Sequence, residues 1–287
     1  MKKYARALFI NILVFTAILA SAPRVASAPP FCPGEKLVYR LSWEAVSAGQ
    51  AVMQVLPFKL VNDRPAWHFR VRVRTNAFAG LFRKVRNQAD AYVELDLDRS
   101  VAYELQSYGK EDFLLLFSRD GFKTRRIDSS GGETEKKVPQ RTLDPWGVFY
   151  SFRARPEPGE KGDVLRKAIT DGERFTMADL HFGGTLELDV PAGSFEARAL
   201  YPNLGAINTV FGAEEELTVW ASDDDLRVPV RFMGKAAIGR YFAELVEHEI
   251  PGPCPAKLKR ARSDPDSLPV LRLPITNDEA PGPVQAR

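Results

Sequence analysis

Few side chains in this sequence are equipped for chemistry. Its three histidines, His68, His181 and His248, lie far apart, and none stands in an H-E-x-x-H motif. His181 sits in Asp179-Leu180-His181-Phe182-Gly183-Gly184, and Ser194 follows in Pro191-Ala192-Gly193-Ser194-Phe195, so a Ser, a His and an Asp fall within sixteen residues. A hydrolase would use them as nucleophile, base and orienting carboxylate, but triads are made by geometry rather than spacing, and no G-x-S-x-G elbow is present. The same glycine pairs read as hairpin turns with incidental polar neighbours. Glu214, Glu215 and Glu216 are adjacent and cannot flank one glycosidic bond from opposite sides. Asp223, Asp224 and Asp225 lack the alternating ligands and turn glycine of a calcium loop, and read as a hairpin turn whose carboxylates are solvated or bond the backbone. This inventory calls for no cofactor and no metal.

The most informative group is basic. Arg64, Arg70, Arg72, Arg74, Arg83, Lys84 and Arg86 follow one another with no acid among them. A period of two puts His68, Arg70, Arg72 and Arg74 on one face of a strand and Trp67, Phe69, Val71 and Val73 on the other. Facing a groove, the basic side would hold phosphate or carboxylate groups, which guanidinium forks bind in bidentate fashion. Facing solvent, it would pair with acids of adjacent strands such as Asp90 and Glu94. His68, Arg70, Arg72 and Arg74 are therefore the candidate ligand-binding residues.

The elements that carry these residues are mostly strands. Leu37, Tyr39, Leu41 and Trp43 alternate, as do Ala51, Met53 and Val55 after Ser47-Ala48-Gly49. Further strand patterns cover Val85–Leu95, Val101–Tyr108, Phe113–Phe117 and Gly121–Asp128, with a turn at Ser129-Ser130-Gly131-Gly132. One short helix is predicted near 145–155, where Asp144 caps Pro145 and an apolar face follows; Arg155-Pro156-Glu157-Pro158-Gly159 ends it. Beyond it the pattern predicts strands at Val164–Thr170, Glu173–Phe182, Thr185–Val190, Phe195–Tyr201, Glu215–Ala221, Arg227–Met233 and Ala236–Glu249. A dozen short antiparallel strands with one helix define an all-β fold: barrel, half-barrel or sandwich. No phosphate-binding glycine loop and no strand–helix alternation supports a nucleotide-binding α/β fold.

The chain begins with Lys2, Lys3 and Arg6, then an uncharged run of 14 residues from Ala7 to Ala20, then small residues before Pro29. Spanning a bilayer takes about 20 apolar residues, so 1–28 reads as a cleaved signal peptide that leaves no membrane-spanning segment and sends the protein to the periplasm or outside. Its removal takes the formal net charge from +3 to −1, which excludes wholesale electrostatic binding of nucleic acid. Cys32 and Cys254 are the only cysteines. In an oxidising compartment they are expected to pair, closing a loop of about 220 residues around a single domain at 29–250. Residues 251–287 hold eight prolines and no periodicity, and read as a disordered tail held at Cys254.

Several of these residues carry a family likeness. Gly34-Glu35-Lys36-Leu37-Val38-Tyr39 with Trp43 and Ala48-Gly49, the Asp144-Pro145 step, and Leu217-Thr218-Val219-Trp220 with Asp225, Arg227, Pro229 and Val230 resemble an exported bacterial domain-of-unknown-function family. Its marks are a G-E-x-L-x-Y opening, a D-P step and a W-x-[ST]-x-D-x-x-R-x-P-V close, which fits here with one extra residue in its turn. The likeness covers about Gly34 to Ile250 and implies a periplasmic β-rich domain, with no catalytic residues. Read alone, Gly34-Glu35 and Ala48-Gly49 are turn and strand-edge residues. The functional expectation is a non-enzymatic binding or envelope-maintenance protein whose partner is a lipid, a glycan or another envelope protein. It predicts a continuous apolar cavity beside the arginine stripe. The alternative, a periplasmic hydrolase, predicts that Asp179, His181 and a Ser converge in a concave site.

Overall fold

The computed structural model describes residues 28–274 except 83, 110, 156–158, 206–215 and 237–238; the expected signal peptide up to residue 27 and the end from 275 lie outside the described residues. The first half of the chain forms β1 (Lys36–Trp43), β2 (Val46–Val61), β3 (Arg64–Thr75), α1 (Ala77–Phe82), β4 (Arg86–Glu94), β5 (Ser100–Ser107), β6 (Phe113–Phe117), β7 (Lys123–Asp128), β8 (Glu133–Lys137) and β9 (Thr142–Leu143). After α2 (Pro145–Arg153) come β10 (Val164–Thr170), β11 (Phe175–Val190), β12 (Gly193–Asn203), β13 (Glu216–Ser222), β14 (Pro229–Ala236) and β15 (Gly239–Glu249). The described chain ends with α3 (Pro255–Ser263), a single 3-10 turn and β16 (Val270–Leu271).

These strands build a single sheet in the order β8-β7-β6-β5-β4-β3-β2-β1-β15-β14-β13-β12-β11-β10-β9, so every hairpin neighbour pairs and β1 joins β15 to unite the halves. The two edge strands, β8 and β9, are consecutive in the chain and only four residues apart. The sheet is open, with no ladder between β8 and β9 among the described residues, and curls enough for side chains to bridge from one edge toward the other. Arg126 of β7 reaches the Asp171 carbonyl (3.3 Å) and Glu173 Oε1 (3.1 Å), and Lys136 of β8 donates to the Glu173 carbonyl. Of the expected all-β fold, whether barrel, half-barrel or sandwich, the chain adopts one large, curled, open sheet.

Alternation decides what fills the interior. Trp67, Phe69, Val71 and Val73 of β3 point inward and are buried, and α2 plugs the space with Trp146, Val148, Tyr150 and Phe152. Tyr150 stacks on Phe69 at 3.7 Å between ring centres, while Phe31 meets Trp67, Phe69 and Tyr150 edge-on. The plug starts as the sequence predicts: the Asp144 carboxylate accepts the Trp146 and Gly147 amides, each at 2.9 Å, and Pro145 needs no donor there. Beside Phe31, Cys32 is joined to Cys254 with 5.5 Å between Cα atoms. Gly49 also has a structural reason: a Cβ there would lie 2.1 Å from the Arg74 carbonyl oxygen of the neighbouring strand.

Three expectations need correction. Glu173–Phe182 and Thr185–Val190 are not two strands, because Gly183-Gly184 forms a bulge inside the continuous β11 rather than a turn. Among the described residues two α-helices join the one predicted; α1 is only six residues, too short to show a period. The tail is not disordered over residues 251–274: α3 buries Leu258 and Ala261, and β16 pairs in parallel with Leu60 and Val61 of β2. Leu271 and Leu273 pack on a small apolar cluster on the outside of the sheet, around Val61, Tyr92 and Leu116. These few apolar anchors are masked in the sequence by the prolines and charges around them.

Candidate functional site

The three motif regions meet inside the barrel. Glu35, in the turn entering β1, receives both arms of the Arg153 guanidinium at 2.6 and 2.9 Å, and both side chains are buried. Burial pulls the pKa of Arg153 down, but the facing Glu35 carboxylate, helped by Tyr150 and Tyr39, more than offsets it, so the net shift is upward. Arg153 also donates from Nε to the Arg227 carbonyl (3.0 Å) and from Nη2 to the Leu226 carbonyl (3.1 Å). Arg227 in turn donates from Nη1 to the carbonyls of Arg153 (3.1 Å) and Arg155. The Tyr39 hydroxyl donates to the Pro229 carbonyl at 2.7 Å. Glu35 is thus a turn residue at the strand's start, as its motif suggested, and also the buried counter-ion of the helix.

The turn that presents Arg227 is built by Asp224, whose Oδ1 accepts the Ser222 hydroxyl and the Leu226 and Arg227 amides. This holds Arg227 at φ +46°, in the left-handed region. Beside it Arg198 of β12 grips Asp223 in bidentate fashion at 2.9 and 3.0 Å. The acidic run therefore forms a turn, as its spacing suggested, and one of its carboxylates forms an ion pair. Burial, with the nearby Arg155 adding to it, lowers the pKa of Arg227. Its Nε is buried with no hydrogen-bond partner among the described residues.

Between α2 and the inner face of β11 to β14 lies a cavity of about 120 Å³. At roughly 10–15 Å³ per water-sized sphere it has room for on the order of ten waters, and it is smaller than the roughly 300–1,000 Å³ of common ligand pockets. Its walls are apolar: Phe149 and Phe152 from α2, Phe182 from β11, Leu200 from β12, Val219 from β13 and Phe232 from β14. One wall is polar, made by Arg155, Arg198 and Arg227 with Asp223 and Asp224. The Arg155 guanidinium lies over the Phe182 ring at 4.6 Å. Such a space suits a molecule with an apolar body and an anionic end.

This is not the cavity expected beside the arginine stripe: no residue of β3 lines it, and its basic wall comes from Arg155, Arg198 and Arg227. His68, Arg70, Arg72 and Arg74 project from the outer face of β3, opposite Trp67 and Phe69. Asp90, which pairs with Arg70 across the β3–β4 register, accepts from His68 Nε2 (2.5 Å), Arg70 Nε (2.8 Å) and Gln88 Nε2 (2.8 Å). Arg72 donates to Gln54 Oε1 at 2.8 Å, and Arg74 is exposed. His68 stacks on Tyr92 and is almost fully buried. Burial lowers its pKa against the pull of Asp90, and the hydrogen bonds from His68 and Arg70 hold the Asp90 carboxyl below its ordinary value despite burial.

The hydrolase arrangement does not form. Asp179 is held by Arg166 at 2.6 and 2.9 Å, while the Ser194 hydroxyl donates to Asp189 at 2.5 Å in the hairpin at the far end of β11. His181 pairs with Tyr201 and Asp189 with Ser194, so eight residues of strand, about 25 Å, separate His181 from the serine. Glu214 and Glu215 lie outside the described residues. The residues that sequence reasoning missed are Arg153, Arg155 and Arg198. Glu35 and Arg227 stood in the motifs, but the motifs gave no sign that they share one buried network.

Over residues 38–246 the chain matches the model of the family described as "Protein of unknown function (DUF3108)". No curated protein matches it. Among solved structures, it is similar to a β-barrel-like protein of the domain of unknown function DUF1849 from Brucella abortus, at 11% identity, covering 79% of this chain and 99% of that one with a TM-score of 0.47. A hypothetical protein from Chlamydia trachomatis is similar at 6% identity, with 78% and 90% of the two chains covered and a TM-score of 0.34.

Proposed function

As the chain belongs to the DUF3108 family, whose description carries no activity, we propose that it is a binding protein of the bacterial envelope that holds an apolar-bodied anionic molecule in the cavity behind α2. The observation that carries this reading is the apolar cavity with a wall of arginines. Six apolar side chains from five different elements face one space, and the cations beside it include Arg227, which bonds main-chain carbonyls and, among the described residues, no carboxylate. An acyl or similar chain would gain from leaving water there, and its acidic group would meet Arg155 and Arg227. The envelope is where the uncharged run after Arg6 and the Cys32–Cys254 link would place the protein.

The test is binding of the fluorescent fatty acid cis-parinarate to the mature chain and to Ala221→Phe, which fills the cavity from β13. Saturable binding that weakens about tenfold or more in the variant supports the reading. Absence of saturable binding, or equal binding by a folded Ala221→Phe protein, contradicts it.

A further inference from the structure

A second feature stands apart from the cavity, at the end of the barrel where the β1–β2, β3–β4 and β5–β6 connections emerge. There α1 presents Leu81, 82% exposed, and Phe78, 57% exposed, while Trp43, Val46 and Tyr108 are exposed beside them. The three connections are bound into one platform. Asn76 donates from its backbone to the Ala48 carbonyl and from Nδ2 to the Ser47 carbonyl, both at 2.8 Å, and its Oδ1 accepts the Ala79 amide that begins α1. Thr75 donates to the Val85 carbonyl, Tyr108 donates to the Arg86 carbonyl, and Lys84 lies over the Tyr108 ring at 4.4 Å.

The charges nearest α1 are basic, while the flanking connections carry Glu44, Glu111 and Asp112, the last two bonded to the Ser130 and Ser107 amides. Arg74, Lys84 and Arg86 are exposed around it. On the β1 side Glu44 faces Arg240 at 3.8 Å. A protruding helix turn with Leu and Phe at its summit, Trp and Tyr on its flanks and cations at its base does not form a groove for a peptide. It matches the layering of a bilayer surface, where apolar side chains enter the acyl boundary, Trp and Tyr sit at headgroup level and Lys and Arg meet phosphates.

We propose that this end of the barrel docks on a lipid bilayer bearing anionic headgroups, with Phe78 and Leu81 entering the interface and Arg74, Lys84 and Arg86 facing the lipid phosphates. Arg74, the outermost member of the basic stripe, thereby gains a ligand of the oxyanion class. The inference does not depend on the cavity being occupied.

Vesicles of phosphatidylcholine alone and vesicles containing phosphatidylglycerol test it, with the full mature chain. Trp67 and Trp146 are buried and Trp220 is half-buried, so a blue shift of tryptophan emission on adding vesicles reports Trp43. The expected result is co-sedimentation with the phosphatidylglycerol vesicles and a blue shift lost in Trp43→Phe. Affinity should fall about tenfold or more in Leu81→Asp. Lys84→Glu and added salt should weaken it as well. All three substituted side chains are exposed, and unchanged thermal melts confirm that the variants fold. The proposal is overturned if the protein stays in the supernatant with both vesicle types, or if Leu81→Asp binds like the parent. It is equally overturned if Leu81→Asp abolishes only a concentration-dependent self-association seen by sedimentation velocity, because the tip then belongs to a second copy.

Discussion

Glu35 and Arg153 stand 118 residues apart in the chain and meet as a bidentate ion pair sealed from water. One lies just before the first strand and the other ends the internal helix, and Arg153 also bonds the main chain at Leu226 and Arg227. The pair therefore fixes α2 against both the opening of the barrel and the turn that forms the polar wall of the cavity.

Breaking this pair from one side should be severe. Glu35→Ala leaves a buried guanidinium without its counter-ion, and the expected loss is about 3–5 kcal/mol in denaturant melts. The double variant Glu35→Leu with Arg153→Met should recover most of that loss, because it removes both charges together. A loss below about 1 kcal/mol for Glu35→Ala would mean that the pair does not anchor the helix.

The Cys32–Cys254 link spans 222 residues and joins the start of the domain to the segment leading into α3. Reduction should lower stability by about 2–5 kcal/mol. Mass analysis after alkylation should find no free thiol in the purified protein until reductant is added, and equal midpoints with and without reductant would contradict the prediction.

Asp144 supplies a pH signature. Its carboxyl is fully buried, and that burial raises its pKa to about 6 despite the hydrogen bonds from Ser100, Trp146 and Gly147. Between about pH 4 and 6 the folded chain binds a proton that the unfolded chain lacks, so this group's contribution to stability grows as pH falls through 6 and is lost as pH rises through it. Relative to Asp144→Asn, which keeps the cap acceptor but cannot titrate, the parent should gain on the order of 2–3 kcal/mol between pH 7 and pH 4. A constant difference across that range would refute it.

His68 acts in the opposite direction. Its lowered pKa means that the folded chain resists protonation, so the stability it contributes is present above about pH 6.5 and is lost as pH falls through the folded value. Its ring signals in an NMR titration should therefore move at a pH below the roughly 6.5 of an unperturbed imidazole. His68→Phe keeps a ring on Tyr92 and should flatten the acid side of the stability curve below pH 6.5.

Much of this fold is legible in local patterns. The alternation of Trp67, Phe69, Val71 and Val73 names both the strand and its buried face, and Asp144-Pro145 names the start of the helix, because both signals act within a few residues. The site is less legible, since Glu35 looks like any charged turn residue until a fold brings Arg153 to it. The cavity is hidden for a related reason: Phe182, Leu200 and Val219 alternate like core residues, and sequence periodicity cannot distinguish an inner face that packs from one that leaves a space. The basic stripe is conspicuous in sequence because its members share a strand, whereas Arg155, Arg198 and Arg227 come from three separate stretches.

Native mass spectrometry of the parent and of Ala221→Phe, each purified from cells that make the protein naturally, tests the binding account most directly. The account predicts an added mass on the parent that dissociates as an apolar-chained acid and is absent from the variant. A bare chain mass for the parent, in spectra that preserve non-covalent complexes, or the same added mass on both proteins, would contradict it.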